Sequence, residues 1–458
     1  MNRISSPAPS SDARALSREI FAELIGIDTT HATGSTTVAA EAMRRRLLAV
    51  SMPESDVVVL GPRAGKGNLV ARMRGSGDRG PILLLAHLDV VDAQPSEWSV
   101  NPFELTERDG HFYGRGTTDD KAMAAIWVAN LIRYVELGFQ PDRDIIVALT
   151  ADEEGGDHNG AEWLLREHPD LVDAEFGLNE GGYGRSKGGR RIANVVQAGE
   201  KTYLDLELLA EGRGGHSSIP LPESAITILA EAVARLSRHR FPVLLSEVTR
   251  GFFERMAEIE EGEVASDMRA FLQSPADPGA LDRLSAVPYY NGLLRNTAVV
   301  TRLQAGEENN TVPSTARAVV NCRILPGESA ADLEREIAGV IEDDRIRIRA
   351  LAPAQDSPPS PLTAEIMGPV ERITEELWPG VPVLPVMGIG GTDSRHFRRA
   401  GIPMYGVSGI FLDVDDVRAH APDERIGVEA FFEGQEFLFR LVRQLTQSTA
   451  VSDGGREV

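Results

Sequence analysis

Histidines and acidic residues able to hold metal ions are spread along this chain. They are His87, the pair Asp119 and Asp120, the pair Glu153 and Glu154, Glu180, and His420. Imidazole and carboxylate together form a hard-to-borderline ligand set that suits Zn²⁺, and also Mn²⁺ or Co²⁺. If one carboxylate bridges, two cations sit about 3.5–4 Å apart, a spacing typical of hydrolytic sites. The residue types therefore predict a site for two divalent cations.

The first histidine has a carboxylate close behind it in the sequence. His87 ends an apolar run that predicts a buried strand, and Asp89 follows two residues later, so both side chains point the same way. A carboxylate on the far ring nitrogen would fix the tautomer and raise the basicity of the imidazole. The simpler interpretation is a surface histidine near an unrelated aspartate, because the His-x-Asp pattern is common.

Paired acidic residues occur twice. Asp119 and Asp120 open a predicted helix, where they repel each other unless a cation or the helix N-terminus compensates them. Glu153 and Glu154 follow the end of another apolar run. One of these two can ligate a metal while its neighbour acts as a general base. A solvated N-cap and a solvated acidic loop are the respective alternatives.

Strands and helices alternate in the first two hundred residues, the pattern of an α/β sheet. Open α/β sheets bind their ligands at the carboxyl ends of the strands, and three predicted strands here run directly into candidate residues. The predicted strands are Asn68–Met73, Ile82–Ala86, Ile145–Thr150 and Phe176–Leu178.

The pattern changes after Gly199 to one typical of an α+β unit, with solvated strand faces and amphipathic helices. The predicted strands are Tyr203–Leu209, Ala298–Leu303, Ala316–Leu325 and Ile346–Leu351, and the predicted helices are Ser224–Ser237 and Ala330–Ile341. A charged, helix-leaning stretch near residues 240–290 indicates an insertion in this unit. The Pro-rich segment Ala352–Pro361 is typical of a linker, and strands near Val381–Val386 and Ile402–Val407 resume the first pattern.

We therefore expect an α/β fold with two domains. A discontinuous catalytic domain, in residues 1–200 and 354–458, has a central mixed sheet flanked by helices. A smaller α+β domain in residues 201–353 is inserted into it and carries the helical insertion. Two domains also suit the length of 458 residues, which exceeds a single compact core.

Charge and cysteine content exclude several classes of function. The formal net charge is −22 without a basic cluster, so nucleic acid is not an expected partner. No long apolar run predicts a membrane span, and the polar first residues lack the apolar core of a secretory signal. The single cysteine, Cys322, excludes an intramolecular disulfide and lies in an alternating strand pattern, so we expect a buried thiol. We expect a cytoplasmic protein.

Nine motifs, in this order along the chain, resemble the zinc metallopeptidase family that contains aminoacylase, glutamate carboxypeptidase, succinyl-diaminopimelate desuccinylase and carboxypeptidase S. The motifs are AHLDVV (86–91), WSVNPFEL (98–105), YGRGTTDDK (113–121), ADEEGG (151–156), NEGG (179–182), GRGGHSS (212–218), NTVP (310–313), GGTDSRHF (390–397) and HAPDERI (420–426). The resemblance covers about residues 15 to 445. The DDK, GGHSS and TDSRHF forms are most similar to the carboxypeptidase S branch, which includes N-acyl-amino-acid hydrolases.

The resemblance implies a role for each candidate ligand. Two divalent ions, expected to be zinc, would be bound by His87 and Glu180 on one side and by Glu154 and His420 on the other. Asp119 rather than Asp120 would bridge them, with a cis peptide bond after it. The resemblance also makes Glu153 the general base and Asp89 the residue that orients His87.

The resemblance implies further roles for residues outside the metal site. His216 would reach across a homodimer interface to polarise the scissile carbonyl. Asn310 and Arg323 would bind the carboxylate of the substrate, for which the planar guanidinium of arginine is suited. Gly390, Gly391 and Thr392 would line the same pocket with backbone donors.

These roles predict a hydrolase that cleaves a peptide or N-acyl amide bond next to a free carboxylate. A carboxypeptidase or dipeptidase and an N-acyl-amino-acid amidohydrolase both fit, because they need the same metals and differ in the pocket for the acyl side. A catalytically silent binding protein on this fold would have lost a ligand or the base, and all are present. A serine hydrolase using Ser217 or Ser218 lacks an orienting acid and a nucleophile elbow.

Overall fold

The computed structural model describes residues 9–273, 277–354 and 356–447. These residues form two compact units. The first unit contains the described residues up to Ala198, the segment Ser360–Val386, and those from Thr392 onward. The second unit contains Gly199–Pro359 and Met387–Gly391.

Fourteen α-helices are found in the described residues. In chain order they are α1 (Ser11–Gly26), α2 (Thr36–Ala49), α3 (Lys121–Glu136), α4 (Gly160–Glu167), α5 (Pro169–Val172), α6 (Ala225–Arg238), α7 (Glu247–Ile259), α8 (Gly262–Phe271), α9 (Pro278–Ser285), α10 (Pro288–Leu294), α11 (Ala330–Ile341), α12 (Ala364–Leu377), α13 (Ser394–Arg399) and α14 (Val428–Leu445). Six of them begin after an N-cap residue whose side chain accepts a backbone N–H of the first turn.

Nineteen strands are found in the same residues. They are β1 (Val57–Leu60), β2 (Asn68–Met73), β3 (Ile82–His87), β4 (Thr106–Arg108), β5 (His111–Tyr113), β6 (Ile145–Thr150), β7 (Phe176–Asn179), β8 (Gly184–Lys187), β9 (Arg190–Glu200), β10 (Thr202–Glu211), β11 (Gly215–His216), β12 (Thr297–Ala305), β13 (Thr311–Val312), β14 (Thr315–Ile324), β15 (Ile346–Ala350), β16 (Val383–Gly388), β17 (Met404–Gly406), β18 (Phe411–Asp413) and β19 (Arg425–Gly427).

A mixed sheet organises the first unit. Its strand order is β1-β2-β6-β3-β7-β17-β9-β8-β18, and β16 pairs with β9. Strands β6, β3, β7 and β17 are mutually parallel neighbours, whereas β1, β2 and β9 run antiparallel to theirs. Every residue of β3, β6 and β7 is buried, which explains their nearly continuous apolar sequences. Helix α3 is apolar on most of its circumference and is likewise buried along most of its length.

A four-stranded antiparallel sheet, in the order β12-β14-β10-β15, organises the second unit. One face of β10, with Leu204, Leu206 and Leu208, packs in a core with apolar residues of helices α6 and α11. A separate two-stranded sheet joins β11 to β13. Helices α7 to α10 occupy the stretch near residues 240–290 that was predicted to be helical.

The predicted α/β class with a central mixed sheet is confirmed. Strands β2 and β6 and helix α11 match their predicted bounds, and the other predicted elements agree to within about two residues at each end. The burial of Cys322 is also confirmed, and burial raises the pKa of its thiol to about 12. None of the described helices is long and apolar enough to cross a membrane.

Candidate active site

The carboxyl ends of three adjacent parallel strands carry most of the candidate ligands. Strand β3 lies between β6 and β7 and pairs in parallel with both. His87 is the last residue of β3, Glu154 lies in the turn after β6, and Glu180 directly follows β7. Strand pairing therefore brings side chains that are far apart in the sequence to one edge of the sheet, as predicted.

One candidate metal-binding group contains His87, Asp119 and Glu180. The Nε2 atom of His87 lies 2.9 Å from Oδ1 of Asp119 and 3.8 Å from Oε1 of Glu180. The histidine and the glutamate of this group are buried, and the aspartate is partly exposed. One cation can therefore contact all three side chains from a single position.

A second candidate group contains Asp119, Glu154 and His420. The Nε2 atom of His420 lies 3.2 Å from Oδ2 of Asp119 and 2.9 Å from Oε2 of Glu154. Asp119 thus presents one carboxylate oxygen to each histidine. This arrangement is the one needed for a carboxylate that bridges two cations.

The two adjacent aspartates differ in position. The carboxylate of Asp120 is buried and belongs to neither candidate group, whereas Asp119 belongs to both. The peptide bond between them is cis, as the family resemblance implied. Asp119 is therefore the aspartate whose side chain faces both histidines.

The charges of these five side chains perturb one another. Burial alone would raise the pKa of Asp119, but hydrogen bonds from His420 and His87 hold it below the usual range. The hydrogen bond to Asp119 raises the pKa of His420 to about 9, and burial raises the pKa of Glu154 to about 7. Three carboxylates packed at one edge of a sheet repel each other, and divalent cations would compensate them. The donor set therefore fits two such ions.

Asp89 supports both sides of this cluster, although not in the predicted way. The Nδ1 atom of His87 lies 2.9 Å from the carbonyl oxygen of Asp89 and 3.7 Å from its carboxylate. The imidazole therefore donates to the backbone, which leaves Nε2 facing Asp119. The carboxylate instead accepts the backbone N–H groups of Glu153, at 3.1 Å, and of Glu154, at 3.0 Å. Two amide donors at the strand end attract the carboxylate more strongly than one ring nitrogen.

The predicted general base lies beside a ligand in the chain. Glu153 is only partly exposed, and burial raises the pKa of its carboxyl group well above the ordinary range. His87 opposes this shift, and Asp393 and Asp89 add to it. A partly buried carboxyl group beside a candidate metal site is a candidate general base.

One buried carboxylate next to the metal cluster had no role in the sequence prediction. Glu424 accepts backbone N–H groups from Gly116, Thr118 and Asp119, at 2.7–3.1 Å, and pairs with Arg115 at 2.7 Å. Arg115 also donates to the carbonyl oxygen of His420 at 3.2 Å. Glu424 thus joins the segment of Asp119 to that of His420. Its position inside the HAPDERI motif was the available signal.

A third group of a histidine and two carboxylates contains His31, Asp89 and Asp152, and a lysine also contacts it. His31 lies 3.8 Å from the carboxylate of Asp89 and 3.6 Å from that of Asp152. The ammonium group of Lys66 lies 2.5 Å from the same oxygen of Asp152 and is buried with it. Because a lysine already compensates Asp152, we assign this cluster to an internal ion-pair network rather than to another cation.

The remaining predicted site residues, except Thr392, lie in the second unit. His216 is exposed on β11 and pairs with Thr311 of β13, which places it next to Asn310. The Nδ1 atom of His216 contacts the hydroxyl of Ser218 at 2.7 Å, and the N–H of Ser217 donates to the carbonyl of Asn310 at 2.9 Å.

The other predicted carboxylate-binding residues of this unit lie elsewhere in it. Arg323 lies on β14, and its guanidinium stacks over the ring of Tyr203 at 4.7 Å. Gly390 and Gly391 are exposed, whereas Thr392, which belongs to the first unit, is buried before α13.

An α/β sheet whose strand ends bring together two histidine–carboxylate groups with a shared aspartate defines a metal-dependent hydrolase. The chain belongs to peptidase family M20/M25/M40, whose model matches residues 83–444. This family is the one that the nine sequence motifs resembled, so that prediction and the prediction of a metal-dependent amide hydrolase are confirmed.

Two proteins with similar sequences carry names that state an activity. The N-fatty-acyl-amino acid synthase/hydrolase PM20D1 of Xenopus tropicalis is 33% identical over 378 residues, which cover 81% of this chain and 72% of that protein. The probable carboxypeptidase S-like 2 of Dictyostelium discoideum is 31% identical over 380 residues, covering 79% and 71%. The carboxypeptidase S branch anticipated from the motifs, which includes N-acyl-amino-acid hydrolases, is thus represented among the relatives.

Solved structures of low sequence identity share the fold. The M20 family metallo-carboxypeptidase Sso-CP2 from Sulfolobus solfataricus superposes with a TM-score of 0.72 at 18% identity, covering 94% of this chain and 99% of that one. Human carnosine dipeptidase 1 superposes with a TM-score of 0.66 at 16% identity, covering 96% and 100%.

Proposed function

We propose that this enzyme hydrolyses the amide bond between an acyl group and the amino group of an amino acid whose carboxylate is free. The observation that carries the proposal is the pair of metal-binding groups joined through Asp119, with Glu153 beside them. N-acyl amino acids are the first candidate substrates, because the relative that is 33% identical is named for them. Peptides cleaved at the carboxyl end are the second candidate, because another relative is a probable carboxypeptidase.

Each candidate ligand is proposed to bind the cation of the group in which its side chain lies. His87 and Glu180 would hold one cation, Glu154 and His420 would hold the other, and Asp119, which belongs to both groups, would contribute to both sites. Two divalent cations supply Lewis acidity, which polarises an amide carbonyl and makes a water molecule easier to deprotonate. Contacts within the protein, such as those of Asp89 with His87 and with the backbone of Glu154, hold the candidate ligands in position.

Glu153 moves the proton in the proposed reaction. Its carboxylate takes a proton from the attacking water, whose oxygen bonds to the carbonyl carbon of the substrate. The C–N bond then breaks, and the proton held by Glu153 passes to the nitrogen of the leaving amine. The position of Glu153, half-buried and next to the candidate ligand Glu154 in the chain, supports this double role.

Four residues of the second unit, together with Thr392 of the first, are proposed to bind the substrate. Asn310 and Arg323 bind the free carboxylate of the amino acid, with Gly390, Gly391 and Thr392 as backbone donors. The planar guanidinium of Arg323 suits a carboxylate because it can donate two parallel hydrogen bonds.

His216 is proposed to act on the scissile carbonyl in the partner subunit of a homodimer. Its exposure on β11 supports this role, because an imidazole must be accessible to reach another chain. A cytoplasmic location is also proposed, and the buried free thiol of Cys322 supports it.

Zinc is the proposed metal. Two imidazoles with three carboxylates suit zinc, although cobalt and manganese accept the same ligands. Metal analysis of the protein purified from cells grown without added metal, followed by reloading of the stripped protein with each ion, tests this choice.

The substrate is tested by a hydrolysis screen of the metal-loaded enzyme against N-acyl amino acids, dipeptides and longer peptides. We expect hydrolysis of N-acyl amino acids, loss of that activity after chelation, and its return on adding metal. Matched substrates whose carboxylate is amidated serve as the control and should be hydrolysed at least about tenfold more slowly, because a hydrogen-bonded charge is lost. Equal rates with free and amidated substrates would refute the proposed selectivity.

A further inference from the structure

A cavity of about 410 Å³ lies in the first unit beside the metal-binding cluster. Its lining includes Asp119, the shared ligand, and the adjacent Thr118. Its volume falls in the range of roughly 300–1,000 Å³ that is usual for small-molecule sites. No ligand, base or substrate-binding role assigned above, apart from that of Asp119, uses the residues of this cavity.

The walls of the cavity are largely apolar. Phe411 and Leu412 of β18 contribute to one wall, and Val417 and Ala419 follow in the loop after that strand. Tyr183 contributes from the segment that follows Glu180. Val417 is 70% exposed, so its side chain is accessible to a bound molecule.

The walls are connected to the metal ligands through the chain itself. Ala419 directly precedes His420, and Tyr183 donates a hydrogen bond to the carbonyl oxygen of Thr118 at 2.6 Å. A molecule in this cavity therefore lies against the same short segments that hold the metal cluster.

Both arginines at the cavity are already paired with a carboxylate, and its lining also contains His111, Asp119 and Asp413. Arg425 donates two hydrogen bonds to Asp416, at 2.6 and 2.9 Å, and Arg418 donates a third to the same carboxylate at 2.6 Å. The paired guanidinium groups are therefore weak receptors for the carboxylate of a substrate. An uncharged, apolar half of the substrate is the half that these walls favour.

We propose that this cavity is the subsite for the acyl group of the substrate and that it accepts an extended apolar acyl chain. The proposal rests on the proposed function and adds the location and the chemistry of the acyl side. The scissile carbonyl lies at the end lined by Thr118 and Asp119, and the chain runs between β8 and the loop after β18. Burial of each methylene group should raise kcat/KM by up to about fourfold until the cavity is full.

The subsite is tested with a series of N-acyl derivatives, from acetyl to dodecanoyl, of the amino acid that the screen finds to be hydrolysed fastest. For the wild-type enzyme we expect kcat/KM to rise with chain length and then level off. Ser186 of β8 lines the cavity and is only partly exposed. Ser186→Phe fills the cavity, and an aromatic residue suits a strand position. We expect this variant to lose the rise with chain length, at least about tenfold for the longest chain, while its rate with the acetyl substrate stays within about twofold.

Two further variants separate filling of the cavity from general damage. Ser186→Ala changes the same residue without filling the space and should keep the wild-type dependence on chain length. Val417→Asp places a charge on the exposed apolar wall and should reduce hydrolysis of long chains only. Val38→Asp, at an apolar residue of α2 that is 54% exposed and outside the cavity, is the matched control and should change neither. The metal content of each purified variant shows whether the adjacent cluster is intact.

The outcomes separate the two proposals. If Ser186→Phe and Val417→Asp keep the wild-type dependence on chain length, the acyl chain binds elsewhere and the subsite is refuted while the proposed function stands. A wild-type enzyme that hydrolyses the acetyl derivative but shows no gain with chain length also refutes the subsite alone. A metal-loaded enzyme that hydrolyses no N-acyl amino acid of any length refutes the first candidate function itself.

Discussion

Glu153 and Glu154 are neighbours in the chain with carboxylates in different surroundings. Glu154 belongs to a metal-binding group with Asp119 and His420, whereas Glu153 belongs to none of the candidate groups in the described residues. Asp89 accepts the backbone N–H of both, so one carboxylate sets the positions of the ligand and the base together. The division of labour between the two glutamates therefore depends on the backbone path after β6.

The substitution Glu153→Gln tests the role of the base. Glutamine keeps the size of the side chain but cannot take the proton, so kcat should fall by about 10²–10⁴-fold while the content of two metal ions is kept. Steady-state kinetics and metal analysis measure both quantities. Glu167→Gln, at an exposed glutamate of α4, is the control and should leave both unchanged. Wild-type turnover in Glu153→Gln would exclude this residue as the base.

Some site residues could be assigned from local sequence and others could not. The strand end at His87 and the acidic pair at Glu153 and Glu154 carry their own physical signal, because a buried run leads directly into polar residues. Asp119 could be separated from Asp120 only by motif register, since the cis peptide between them is not encoded in any local pattern. The carbonyl contact of Asp89 was also missed, because spacing shows that two side chains can meet but not which oxygen is used.

At the scale of elements, the turn after β6 is held by a buried ion pair. The ammonium group of Lys66 lies 2.5 Å from Asp152, whose backbone has a positive φ of 56°. The amide oxygen of Asn68 accepts the N–H of Ala151 at 2.8 Å. These contacts, together with Asp89, fix the backbone from which the proposed base Glu153 and the candidate ligand Glu154 extend.

The substitution Lys66→Met should weaken both the fold and the site. Loss of one partner of a buried pair leaves Asp152 uncompensated, which destabilises proteins by about 3–5 kcal/mol. Because the turn also carries Glu154, metal affinity or kcat should fall by about 10–100-fold, and Lys66→Arg should recover part of the loss. Denaturant unfolding, metal titration and kinetics measure these effects.

A matched control is available on the surface. Lys187 pairs with Asp415 at 3.5 Å, and both side chains are more than half exposed. Lys187→Met should therefore change the free energy of unfolding by no more than about 1 kcal/mol and leave metal affinity as in the wild type. If Lys66→Met behaved like this control, the buried pair would have no part in positioning the turn.

Elements with strong periodicity were predictable, and those with short irregular strands were not. Strands β2 and β6 and helix α11 could be predicted from the pattern of apolar residues in the sequence. In the strands most residues are apolar, and in the helix one face is. Strands β5, β11, β13, β18 and β19 have only two or three residues each and pair with partners that are distant in the sequence. Such strands exist because of tertiary pairing, which a local window cannot contain.

At the scale of the whole molecule, the proposed homodimer predicts a specific pattern of activity in mixtures. His216→Ala and Glu153→Gln should each be nearly inactive alone. In a hybrid dimer, one site combines the intact Glu153 of the first chain with the partner's His216. Complete exchange of subunits in an equal mixture should restore roughly a quarter of wild-type activity, because half of the dimers are hybrids with one intact site each.

Co-expression of the two variants, followed by light scattering and kinetics, measures this recovery. The oligomeric state must be a dimer in the same samples. Co-expression of two copies of His216→Ala with different tags is the control and should restore nothing. A dimer without recovery in the hybrid would place the action of His216 within its own chain or exclude it from catalysis.

Glu424 gives the metal cluster a property that its five ligands alone would not have. Its carboxylate gathers the amides around Asp119, and through Arg115 it also holds the segment of His420. These segments therefore lose much of their conformational entropy when the protein folds, and they lose little more when a cation binds. Such preorganisation strengthens binding relative to the same side chains on flexible loops. It also means that a chelator should empty the site without melting the protein, unlike small zinc domains that fold only around their ion.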